Sequence, residues 1–302
     1  MRHLLVAALC AAWVDGRASW REISANGTWP QSRHSHSAIL DADGRMVLFG
    51  GNAFDPTNDL FTFDVSRAEW TRRKPAVGAA PSKRYGHSTA LLRDGRILVF
   101  GGFNGTFLND VHLLTLGETD ADSQWELLST SGDPSGRDGH STVIAPDGLT
   151  LLLFGGYDGE QQLSDVHALD IRTGVWTLLD PLAGVAPPAR CLHVAQPCTA
   201  GMLVHGGFVE EGDEDARFGD LWQLKLLGRA ADGTGAPTDG GESAAPSVEW
   251  VELQAEAIAS HPACSPPPPC GTPHVAHTPP ISQRMHFSTN VFLMYSSVFV
   301  PF

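Results

Sequence analysis

Short apolar or alternating runs follow one another along the chain, separated by polar turns. Between His87 and Leu128 they are HSTALL, RILVFGG, DVHLLTL and QWELL, with RDGR and FNGT among the intervening turns. Runs of this length and period, bounded by Asp-Gly and Asn-Gly, predict strands and tight turns. No segment keeps a helical period over a convincing length. The same order recurs. Arg33, Arg84, Arg137 and Arg190 are 51, 53 and 53 residues apart, and each is followed three places on by a histidine: His36, His87, His140 and His193. An apolar strand then ends in a glycine pair: Gly50-Gly51, Gly101-Gly102, Gly155-Gly156 and Gly206-Gly207. An aspartate before an apolar residue comes next (Asp59, Asp110, Asp165, Asp220), and a tryptophan closes each unit (Trp70, Trp125, Trp176, Trp250). A period near 50 residues with four strands per unit predicts an all-β repeat protein in which each unit is one sheet. Four-stranded sheets repeated around an axis make a β-propeller.

The pattern R-x-x-H-S, a strand ending in GG, then D-[LV] and W resembles the Kelch repeat, over about Trp20 to Leu253. The resemblance implies a Kelch-type β-propeller, within the group that also includes galactose oxidase. The full blades fall at about 34–72, 85–128, 138–179 and 191–253, and the run 228–247 has the composition of an insertion in the fourth. Each histidine and arginine is expected to hydrogen-bond backbone within its own blade, and each tryptophan to fill the wedge between blades. The glycine pairs suit a strand end crowded by its neighbours; no lysine or helix follows them, so a phosphate-binding role fits poorly.

The ends are read less simply. VDGRASWREI (14–23) resembles FDVSRAEWTRR (63–73), so Trp20 would start a lone fourth strand. QRMHFSTNVFLMYSSVFV (283–300) echoes the R-x-x-H-S start without its glycine pair. Strands from both ends would then close a composite fifth blade. Kelch propellers usually carry six or seven blades, so the alternative is a fragment of a larger propeller. Residues 1–18 have a basic start and a short apolar run, which fits a secretory signal peptide; a strand of a truncated blade is the competing reading. The domain division is therefore 1–18, a propeller over 19–255, a Pro-rich linker over 256–280, and closing strands within 281–302. Secretion is slightly favoured over a cytoplasmic location. No segment is a comfortable membrane span.

The net charge of −14 argues against nucleic acid or an anionic membrane as the main partner and suits a basic one. Cys191 and Cys198 flank the first strand of blade four and would pair only if the strand ends came close. Cys264 and Cys270 lie in HPACSPPPPCGTPHVAH (261–277), which has ligands enough for zinc, but its prolines stiffen it against wrapping an ion. The expectation is a linker, with no metal, cofactor or catalytic residue.

In a four-stranded antiparallel blade the 2–3 loops and the inter-blade loops share one face. Here they are much the richer loops. Phe54, Phe103, Phe107, Tyr157 and Phe208, with Asn104, Asp158 and Glu160, offer anchor and rim chemistry for a protein or peptide partner. The acidic run from Glu210 to Asp215 would meet a basic partner or simply solvent. The function expected is a non-enzymatic interaction module. The alternative implied by the resemblance is a copper-dependent oxidase of the galactose-oxidase type. Of Tyr85, Tyr157 and Tyr295 none sits in a recognisable copper-site context, and Tyr85 shares a repeat position with His34, Asp138 and Cys191. No nucleophile elbow or zinc-protease motif stands apart from the repeat.

Overall fold

The structure is a computed structural model and describes residues 22–181, 185–211, 214–227 and 247–253. Residues 1–18, Trp20, the insertion up to residue 246, the Pro-rich segment, the candidate closing strands, Cys10, Cys264 and Cys270 all lie outside the described residues.

Every regular element among the described residues is a strand, and four blades are formed, each with four antiparallel strands; in blade 1 a short fifth strand, Asn26–Gly27, adds in parallel beside Glu69–Arg73. Blade 1 is Ser37–Leu40, Met46–Phe49, Leu60–Asp64 and Glu69–Arg73. Blade 2 is Ser88–Leu91, Ile97–Phe103, Phe107–Thr115 and Gln124–Leu128. Blade 3 is Ser141–Ile144, Thr150–Phe154, Val166–Asp170 and Val175–Leu178. Blade 4 is Val194–Cys198, Gly201–His205, Leu221–Leu227 and Ser247–Glu252. Ser247, assigned to the insertion from sequence, opens the outer strand of blade 4. The first strands lie side by side in series from blade 1 to blade 4. A stair of backbone bonds joins them: Gly86 N–H to Ser35 O, Gly139 N–H to Gly86 O and Leu192 N–H to Gly139 O, at 2.9, 2.9 and 2.7 Å.

The second strands of blades 2 and 3 are apolar on both faces because a neighbouring blade covers each. Leu98, Val99 and Phe100 are wholly buried. A strand buried on both sides reads as a continuous apolar run rather than an alternating one. The tryptophans wedge between blades. Trp125 packs on Phe49, Trp176 on Phe100 and Trp250 on Phe154, at ring-centroid distances of 5.1, 5.1 and 5.0 Å. Each therefore fills the surface of the blade before its own.

Each landmark arginine braces its own blade. The Arg84 guanidinium donates to Gly101 O at 2.9 Å and, two-pronged, to the Asp110 carboxylate at 2.7 and 2.8 Å. Arg137 with Gly155 O and Asp165, and Arg190 with Gly206 O and Asp220, repeat this geometry. Arg33 reaches Gly50 O and Asp59 likewise. His112 and His167 add a third contact to Asp110 and Asp165. Trp222 gives one to Asp220. Burial opposes ionisation of Asp110 and Asp165, but the hydrogen bonds from arginine and histidine outweigh it and hold both carboxyls well below the usual range.

The landmark histidines depart from the expectation of bonds within their own blades. His87, His140 and His193 pair through Nε2 with Ser37, Ser88 and Ser141 of the preceding blade, at 2.9, 2.9 and 2.7 Å. Each ring also lies edge-on to that blade's Phe49, Phe100 or Phe154. The imidazole reaches so far that the first glycine of the preceding pair has no room for a side chain. A Cβ on Gly101 would stand 2.8 Å from His140 Cε1, and its φ of 64° disfavours other residues as well.

Burial, reinforced by the adjacent arginine charges, pushes His36 down to about 4 and His87 to about 3; His193 is likewise at about 3 and His140 lies well below its ordinary value. These rings stay neutral in the fold but take up protons once unfolded below pH 6.5. The unfolded chain then binds more protons, so stability falls as pH drops from about 6.5 towards 4. The urea midpoint is expected to decline over that range, by up to about 1.4 kcal/mol per pH unit for each extra proton. A midpoint flat from pH 7 to 4.5 would contradict the neutral, buried assignment.

Candidate functional site

Two repeat positions escape the uniformity of the brace and the wedge. The residue after each landmark arginine is His34, Tyr85, Asp138 or Cys191, and the residue after each glycine pair is Asn52, Phe103, Tyr157 or Phe208. In every blade the two form a backbone bridge: His34 with Asn52, Tyr85 with Phe103, Asp138 with Tyr157 and Cys191 with Phe208. The arginine brace fixes this bridge. It holds the carbonyl of the first glycine, two residues before one partner, and its arginine immediately precedes the other. A rigid scaffold thus presents eight side chains of differing chemistry next to the stair of backbone bonds.

Five of the rings on this loop face form a row. His34, Tyr85, Phe103, Phe107 and Tyr157 follow one another with centroid separations of 6.4, 5.6, 4.8 and 5.5 Å, crossing from blade 1 to blade 3. Tyr85, Phe103, Phe107 and Tyr157 are half-buried, with part of each ring open to solvent. Phe107 crosses from blade 2 onto the loop of blade 3, where a Cβ on Gly159 would lie 2.5 Å from its ring. The Tyr157 hydroxyl donates to Gly159 O at 2.9 Å.

The other nominated residues fall around this row in different roles. Asn104 and Asp158 fold their own turns: the Asn104 carboxamide oxygen accepts from Thr106 N–H, and Asp158 Oδ1 from the N–H groups of Glu160 and Gln161. Glu160 is exposed on the same turn. Phe54 is fully exposed at φ 80°, between the short strands Asn52–Ala53 and Asp55–Pro56, and makes no ring contact among the described residues. Phe208 is half-buried and opens a hairpin of Phe208–Glu211 and Glu214–Arg217, where the sequence predicted a loop.

Sequence reasoning set Tyr85 aside as incidental, yet it links the His34 and Phe103 rings. The change of residue type at this shared repeat position, His34, Tyr85, Asp138 and Cys191, was the available signal.

Beyond the end of the row, between blades 3 and 4, lies a small pocket of ≈ 210 Å³ with Asp138, Tyr157, Gln162, Cys191, Phe208 and Glu210 in its wall. Burial pushes the Asp138 carboxyl up to about 6, against the pull of its own backbone N–H. Burial, then the nearby charges of Asp138 and Glu210, pushes the Cys191 thiol up to about 12. Cys191 and Cys198 are both free thiols. A larger hollow on the opposite face is lined by turn residues and Glu118; Asp43 is engaged with Arg45 and Asp64 with the turn at Ser66. Among the described residues no three His, Cys, Asp or Glu side chains group closely enough to hold a metal ion. No helix among them is long and apolar enough to cross a membrane.

Four-stranded blades, an arginine–aspartate brace and a variable loop face together define a Kelch-type β-propeller. The Attractin/LZTR1 beta-propeller family model matches residues 14–220, more than half of the chain, and the chain belongs to that family. It is 33% identical over 220 residues to putative adagio-like protein 2 of Oryza sativa subsp. japonica, covering 69% of this chain and 33% of that protein. It is also 33% identical over 221 residues to Kelch domain-containing protein 10 of Homo sapiens, covering 69% of this chain and 47% of the relative. With host cell factor 1 of Rattus norvegicus it shares 31% identity over 210 residues, 63% of this chain and 10% of that protein. The chain thus spans less than half the length of each of these relatives.

Proposed function

We propose that the chain is a non-enzymatic interaction module that binds a segment of a partner protein across its loop face. The aromatic row carries this reading. The rings of Tyr85, Phe103, Phe107 and Tyr157 stand partly open to solvent on rigid, braced loops, and rings so held bury large area at little cost in side-chain entropy. Neither the brace nor the wedge between blades needs them. The family membership, and relatives whose names include Kelch domain and host cell factor, support a protein-interaction propeller in general terms. A partly basic partner suits the charge of −14.

Selection of a displayed random-peptide library on the full chain tests this. Selected peptides are expected to bind Phe103→Ala and Phe107→Ala at least about tenfold more weakly, the loss of about 1–2 kcal/mol typical of an interface anchor. Equal binding by variants with unchanged circular dichroism would reject the row as the site.

A further inference from the structure

We infer that the pocket between blades 3 and 4 receives the cationic side chain, arginine or lysine, of the polypeptide segment bound along the aromatic row. This inference rests on the proposed function and adds the chemistry of one contact. Five features of the pocket support it.

The Asp138 carboxylate is partly buried, and among the described residues it pairs with no arginine, lysine or histidine. That is unlike the brace aspartates Asp59, Asp110, Asp165 and Asp220, each of which holds an arginine. Glu210 supplies a second, exposed acid in the pocket wall. Tyr157 and Phe208 contribute rings, and a guanidinium or ammonium is attracted to both an aromatic face and a carboxylate. The space, ≈ 210 Å³, suits one side chain better than a drug-sized ligand, whose pockets start at about 300 Å³. Leu192, half out in solvent, stands where blades 2 and 3 have Gly86 and Gly139 in the stair, and it too lines the pocket.

A cation here would satisfy a carboxylate that the fold leaves without a countercharge. The site should therefore weaken on acidification. Asp138 loses its charge as pH falls through about 6. The titratable groups near it are Glu210, the Cys191 thiol and the Tyr85 and Tyr157 phenols. The thiol and the Tyr85 phenol are both raised by burial first and by Asp138 second, so they stay neutral through this range.

The test uses the full chain and Nα-acetylarginine amide as probe, with Nα-acetylcitrulline amide as its uncharged counterpart. Of the row only Tyr157 lines the pocket, whereas the row's own test alters Phe103 and Phe107, so the two outcomes are distinguishable. Amide shifts in NMR spectra at Asp138, Gly139 and Leu192 are expected with the arginine probe. Affinity should be about tenfold above that for citrulline, the usual size of one charge-assisted bond. It should fall between pH 7 and pH 5 and be lost in Asp138→Asn. Equal response to both probes, or a response surviving in Asp138→Asn, overturns the inference. Asp138→Asn is also expected to raise the melting temperature at pH 7.5, since it removes an uncompensated charge from a partly buried site; a lowered melting temperature would show that the carboxylate already has a partner.

Discussion

Asp165→Ala is expected to destabilise the propeller by about 3–5 kcal/mol, a large part of the 5–15 kcal/mol typical of a folded domain. The reason lies in what remains. Arg137 is 1% exposed and gives two N–H groups to Asp165, and the Nε2–H of His167 donates a third hydrogen bond to the same carboxylate. Without the carboxylate, the guanidinium keeps Gly155 O, Ser135 O and Ser135 Oγ, but no counter-charge. An unpaired buried charge costs far more than the pair contributes, so removing both members together, as in Arg137→Met with Asp165→Leu, should cost less than Asp165→Ala alone. Urea unfolding of the single and double variants measures this. A single-variant loss under about 1 kcal/mol would mean that the brace carries little of the fold. The same substitution should weaken partner binding, because Arg137 anchors Gly155, two residues before Tyr157, and is itself followed by Asp138.

Trp176→Ala should cost a similar amount, about 3–5 kcal/mol, by leaving a cavity between two blades. The indole is 4% exposed and sits among Leu98, Phe100, Val111 and Leu113 of blade 2 and Leu151, Leu153 and Leu169 of blade 3. Hydrogen exchange can locate the damage. Amides of blade 2 should lose protection as readily as those of blade 3, because the ring belongs to one and seals the other. Protection lost from blade 3 alone would show that the wedge is internal to its own sheet.

Much of this was legible in the residue order, because a repeat reports each strand several times over. The strands, the glycine pairs and the tryptophan wedge could be read from four aligned copies. The partner of each histidine could not. A periodic chain does not say whether a residue meets its own unit or the next, since Ser88 follows His87 in sequence while Ser37 meets it in space. The arginine–aspartate pairs had the same ambiguity, although the two residue types recur together 26 to 30 residues apart. A further repeated element went unread. Gly27, Gly78 and Gly132 lie so close to the carbonyls of Trp70, Trp125 and Trp176 that a Cβ would meet each oxygen within 2.6 Å, and a proline follows each glycine two or three places on. The aromatic row was half visible. Its members vary from unit to unit, so the periodicity that exposed the scaffold gave no guide to which rings would meet.

The histidine and tryptophan contacts run one way: each sheet plugs its predecessor and is plugged by its successor. Such a tongue-and-groove assembly has a polarity. A lesion in one sheet first loosens the joint on its N-terminal side, so cracks should travel towards the start of the chain. Blade 4 presents an altered groove, with Val194 where the others have Ser37, Ser88 and Ser141, and His205 where they have Phe49, Phe100 and Phe154. Whatever lies against that flank must grip it by a different chemistry from the one that joins the four described sheets to one another.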